Sequence, residues 1–185
     1  SSSSHAQMHS VKIPQQESEY LIIHPKGIND DVVGWFYTKI SAKKGEFIKV
    51  HEENKTFIEG HLMQASTIIP HCNGIDYWLV LHHTSQKKSD EYVSFLIDGS
   101  GISEKIVSKG AYKVPSPGKS APDNFKSIGI MTVNSRYNVI ATTFYQNGKD
   151  GVCELMEFDN KNGVVLTKIA HINNFSEPNE VYGVA

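Results

Sequence analysis

The stretch His71–Gly101, HCNGIDYWLVLHHTSQKKSDEYVSFLIDGSG, decides how the chain is read. It contains an Asn-Gly turn, an apolar run that ends in two histidines, a polar break, a second apolar run and a glycine-rich corner. Short β-branched and aromatic runs closed by Gly, Asn and Asp predict antiparallel strands. Similar runs occur on both sides of it, among them EYLIIH, VVGWFYTKI, YNVIATTFY and GVCELMEF, and no helical period competes with them.

The runs recur in order. Ser10-Val11-Lys12-Ile13-Pro14, Thr67-Ile68-Ile69-Pro70 and Ile128-Gly129-Ile130-Met131 each open a unit, spaced by 57 and 61 residues. Second runs begin at Tyr20, Tyr77 and Tyr137; third runs end at Ile40, Ile97 and Phe158, each followed by a polar corner and a fourth run. Four strands recurring at this period predict an all-β fold, a β-propeller of four-stranded antiparallel blades. About three blades are present, over 9–65, 66–124 and 125–180, with 181–185 as the start of a next blade. The ring is therefore incomplete or the chain is a fragment. A β-sandwich is the alternative, although it does not require matching offsets. Pro115–Asn124, with three prolines, reads as the surface connection between the second and third blades.

Composition excludes several classes. A formal charge of -2 gives no field that draws nucleic acid, and no run approaches the length needed to insert in a bilayer. The opening SSSSHAQ, with no Met, reads as a processed or trimmed end. Cys72 and Cys153 are too few for a disulfide framework and are expected to be buried small apolar residues.

The run Ile69–Leu81, IPHCNGIDYWLVL, resembles the blade motif of bacterial surface proteins whose β-propeller repeats precede a gliding-motility-associated C-terminal sorting domain. His71, Asn73, Gly74, Asp76, Tyr77 and Trp78 match the motif. Ile128-Gly129-Ile130, Glu157-Phe158-Asp159-Asn160, Gly163 and Tyr182-Gly183-Val184 resemble it in the following unit. Val133-Asn134-Ser135-Arg136 departs from it where the family has Ser-Pro-Asp-Gly, and no sorting domain is present. The resemblance implies a secreted or cell-surface scaffold and supplies no catalytic residues.

Chemistry is sparse. His82 and His83 are neighbours in a strand, so their side chains point to opposite faces and do not share a metal without a bulge. The same holds for His71 and Cys72. One histidine of each pair is expected to pack and the other to face solvent. Asp159-Asn160-Lys161-Asn162-Gly163 has a lysine where a calcium loop needs oxygen, and reads as a turn. Asp76, His82 and His83 are the binding candidates; no catalytic, cofactor or metal set is assigned.

Two functions follow. The first is a non-enzymatic, exported β-propeller scaffold that binds a protein or glycan, its ring completed either by the rest of a longer protein or by self-association of two chains. The alternative is a propeller enzyme, lactonase- or lyase-like, with polar residues meeting at the channel mouth.

Overall fold

The computed structural model describes residues 7–28, 31–84, 90–111, 129–144 and 152–172. These form twelve strands and, among the described residues, no helix. In chain order they are β1 (His9–Lys12), β2 (Glu19–Ile28), β3 (Asp31–Ser41), β4 (Lys49–Pro70), β5 (Tyr77–His83), β6 (Glu91–Asp98), β7 (Gly101–Ile102), β8 (Ile106–Lys109), β9 (Met131–Val133), β10 (Val139–Phe144), β11 (Val152–Asp159) and β12 (Val164–Ile172). Every pairing is antiparallel. The expected Pro115–Asn124 connection and the start of a next blade at Val181–Val184 lie outside the described residues.

The pairings make three meanders. The first is β1-β2-β3 with the first half of β4. The second is the last part of β4 with β5, β6 and the bulged pair β7 and β8, both of which hydrogen-bond to β6. The third is β9-β10-β11-β12. β4 serves two meanders: it leaves β3 at Leu62 and joins β5 from the same residue, so one strand crosses the boundary expected at 65/66 without a break. Register shifts along β4 let it change partner.

Side-chain alternation then stacks the meanders face to face. Trp78 and Val80 of β5 pack with Ile140, Phe144, Met156 and Phe158 of the third meander. Leu79 and Leu81, one residue out of phase, pack with Leu21, Ile23 and Trp35 of the first. The middle meander is therefore buried on both faces, which is why WLVL carries no polar alternation. A buried Leu or Trp contributes on the order of 1.5–3 kcal/mol. A lone meander with both of these faces in water would forfeit that at each position.

The stacking keeps strand order. First strands lie side by side: the His9 ring Nε2 and the Ser66 hydroxyl are 2.7 Å apart, and the Ser66 amide donates to Gln7 Oε1 at 2.8 Å. Fourth strands of the second and third meanders also meet, the Val165 amide donating to Ser108 Oγ at 3.0 Å.

Register tests the repeat. Tyr20 pairs with Ile40, and Tyr77 with Ile97, so these two tyrosines are equivalent. Opposite Phe158 stands Asn138, whose carbonyl accepts the Phe158 amide at 2.9 Å. Tyr137 is displaced by one, because it lies in the tight turn closed by its own amide on the Asn134 carbonyl, with φ at 57°. The first strand of the third meander also starts later than expected, at Met131.

Cys153 is buried, as expected, but Cys72 is exposed, because it sits in the His71–Asp76 turn and not in a strand. Burial and the Glu154 carboxylate raise the Cys153 thiol above its usual range. In native protein an aromatic disulfide reagent is expected to titrate one thiol promptly and the second only after denaturant is added. A Cys72→Ser variant showing the same prompt thiol would contradict this placement.

Candidate functional site

Asp76, His82 and His83 are not brought together. Asp76 and His82 stand at opposite ends of β5, roughly 20 Å apart at the strand rise. Asp76 closes the turn before β5: its carboxylate accepts Asn73 Nδ2 at 2.6 Å, and its amide and that of Ile75 donate to Asn73 Oδ1 at 3.0 Å. His82 points towards the third meander and His83 towards the first. The expectation that one histidine of this pair faces solvent fails, since both are buried. The reason is the double stacking of the middle meander.

His82 packs edge-on against Tyr92 (4.6 Å) and Phe144 (5.0 Å). Neither of its ring nitrogens makes a hydrogen bond of good geometry among the described residues, the His83 backbone being only a weak partner. Burial pushes its pKa down to about 3, the His83 ring adding to the effect while the His83 backbone and Asp90 oppose it. Beside it, the Tyr92 hydroxyl lies 3.0 Å from both Thr142 Oγ1 and Glu154 Oε2. The Ala111 amide donates to Glu154 Oε1 at 2.9 Å. The His82, Tyr92, Thr142 and Glu154 side chains are all buried, and together they join the second and third meanders.

The open site lies between the first and second meanders, and sequence reading missed it. The two inter-meander seams show why it exists. In the second seam Trp78 fills the gap, donating its indole N–H to the Asn160 carbonyl at 2.9 Å. His71 Nδ1 accepts the Asn73 amide at 3.0 Å, so Nε2 carries the proton and donates to the Lys161 carbonyl at 3.1 Å. The corner from Asp159 to Val164 is long enough to fold onto the indole.

In the first seam the residue equivalent to Trp78, one after the paired tyrosine, is Leu21. The corner there turns through Gly99 and Ser100 alone, held by the Ser100 amide and hydroxyl on Asp98 Oδ1 at 2.7 and 2.6 Å. Those two bonds hold the Asp98 carboxyl below the usual range. A smaller side chain and a shorter corner leave the seam open.

The result is a cleft of about 630 Å³. Ile13, Leu21, Ile58 and Phe95 form its buried floor. One wall carries Tyr37, Glu52 and Phe57 from β3 and β4, and the other is the Gly101–Lys105 segment. The rings interlock, Phe57 lying edge-on to Phe95 at 5.1 Å and 6.4 Å from Tyr37. The Tyr37 hydroxyl donates to Glu52 Oε2 at 2.9 Å. Partial burial, reinforced by Glu52, raises the Tyr37 pKa, so the phenol stays protonated as a donor. Lys39 is paired to Glu19 at 2.8 Å, which lowers the Glu19 pKa.

Aromatic rings beside an oriented carboxylate suit recognition of a ligand. Among the described residues no group of three or more His, Cys, Asp or Glu is placed to hold a metal ion. Comparison with family models, with curated proteins and with solved structures gave no match.

Proposed function

We propose that this chain is a β-propeller segment acting as an exported or cell-surface binding module for a protein or glycan, with recognition in the cleft beside Tyr37 and Glu52. The observation that carries the reading is the stack itself. Three meanders lie face to face with first strands together, the middle one covered on both sides. Repeated meanders arranged in this way suit rotation about an axis on the side of β1, β4 and β9. Propellers have about four to eight blades, so closure calls for further meanders from a longer chain or from a second copy. Solution mass separates a 20.6 kDa monomer from a species of twice that mass. Export and surface attachment rest on the resemblance of Ile69–Leu81 to surface-protein blades.

The cleft favours binding over catalysis because, among the described residues, its lining holds no histidine or thiol, and its hydroxyl–carboxylate pairs are poorly tuned for nucleophilic attack. Asp98, which holds the Ser100 hydroxyl, has a lowered pKa and is a weak base, and the Tyr37 phenol beside Glu52 is held protonated. The test exposes purified protein to arrays of glycans and peptides, and in parallel to a broad panel of ester, lactone and glycoside substrates. Saturable binding without turnover is expected. A robust hydrolytic or lyase activity, lost on replacing a single polar cleft residue, would overturn the reading.

A further inference from the structure

The cleft carries its own statement of ligand chemistry. Of the side chains lining the cleft, Glu52, Glu59 and Glu104 are acidic and Lys39 and Lys105 are basic, Lys39 being held by Glu19 while Lys105 has no ion pair among the described residues. Glu52 lines the cleft and is oriented there, because the Tyr37 hydroxyl donates to its Oε2 at 2.9 Å. Two partly exposed rings, Tyr37 and Phe57, stand beside that carboxylate. Such an arrangement favours a cation with an apolar stem: the stem lies on the rings and the floor, and the charged head meets both the ring faces and the carboxylate. A neutral sugar would satisfy the rings but leave the acidic excess unanswered.

We propose that the cleft receives a lysine or arginine side chain from an extended basic segment of a partner protein. The inference rests on the binding-module reading and narrows its partner class. A volume of about 630 Å³ exceeds one side chain and accommodates the flanking backbone as well. The short Gly99-Ser100 corner lines the cleft and rests on Pro14, Gln15 and Gln16, whereas the longer corner of the neighbouring seam packs on Trp78.

The experiment titrates the intact chain with the capped peptide Gly-Arg-Gly-Arg-Gly, its lysine, glutamate and serine counterparts, spermidine and chitotetraose. The readouts are calorimetry and the ring resonances of Tyr37 and Phe57. The arginine and lysine peptides are expected to move those resonances and to bind less tightly as salt rises. Glu52→Gln should weaken them about fivefold and Lys105→Glu should tighten them about threefold, the scale of single partly exposed charge pairs. Lys105→Glu guards against misfolding, since a damaged fold does not bind more tightly.

Unmoved cleft resonances with the basic peptides would overturn the inference. So would spermidine binding as well as the peptides, or chitotetraose binding with no loss on Glu52→Gln. In the last case the cleft is a glycan site and the binding-module reading survives. Turnover of a substrate would sink that reading instead.

Discussion

Replacing Gly163 with Ala is expected to lower the unfolding free energy by about 3 kcal/mol or more, among the largest effects available to a single methyl group in this chain. Two causes add. Gly163 has φ at +69°, where an L side chain costs on the order of 1–2 kcal/mol. A Cβ there would also lie 2.5–2.7 Å from three atoms of the Trp78 six-membered ring. The indole has little freedom to retreat, because its N–H is bonded to Asn160 and its ring is 5.6 Å from His71. The clash therefore opens the seam between the second and third meanders.

Gly74 separates the two causes. Its φ is +71°, nearly the same, yet a Cβ there meets nothing within 4 Å. Gly74→Ala should cost only the backbone term, about 1–2 kcal/mol in urea unfolding. If Gly163→Ala costs no more than Gly74→Ala, the packing of the Asp159–Gly163 corner on Trp78 is not as described. A Trp78→Leu background gives the coupling: there the added methyl at Gly163 should lose most of its excess cost. Greater exposure of Cys153 to alkylation in Gly163→Ala would show that the third meander is the one released.

Much of this seam could be read from the residues. Asn73-Gly74 and Asp159–Gly163 announced turns by their own chemistry, and the spacing of Tyr20 and Tyr77 gave the register that pairs them with Ile40 and Ile97. Other features depend on tertiary partners. The sequence places a boundary at 65/66 and a polar EENK at 52–55, yet an exposed edge tolerates polar residues and β4 passes straight through both. The burial of both His82 and His83 had a signal in the unbroken WLVL run, which marks a strand covered on two faces. The cleft had none: Tyr37, Phe57 and Phe95 come from two meanders, and only the missing indole at Leu21 and the short corner after Asp98 leave space between them.

Acidification should reveal His82 as the acid-sensitive point of the second seam. Above pH 6.5 the imidazole is neutral in both folded and unfolded chains, so it contributes nothing to the pH dependence. Its folded pKa is depressed to about 3, so between 6.5 and 3 the unfolded chain takes up a proton that the folded chain refuses. Stability from this group is thus complete at neutral pH and falls by about 1.4 kcal/mol per pH unit below 6.5, or about 2 kcal/mol by pH 5. His82→Leu removes the titration and keeps an apolar side chain against Tyr92 and Phe144.

Near pH 7.5 the His82→Leu substitution should shift stability by less than about 1.5 kcal/mol, since neither ring nitrogen has a hydrogen bond of good geometry among the described residues to lose. At pH 5 the variant should gain about 2 kcal/mol relative to the native chain. His9 also titrates low because of burial, but it remains in both proteins, so the difference between them isolates His82. Parallel unfolding curves for the two proteins from pH 7.5 to 5 would mean that water or protons reach the ring, and that the seam between the second and third meanders is looser than its packing implies.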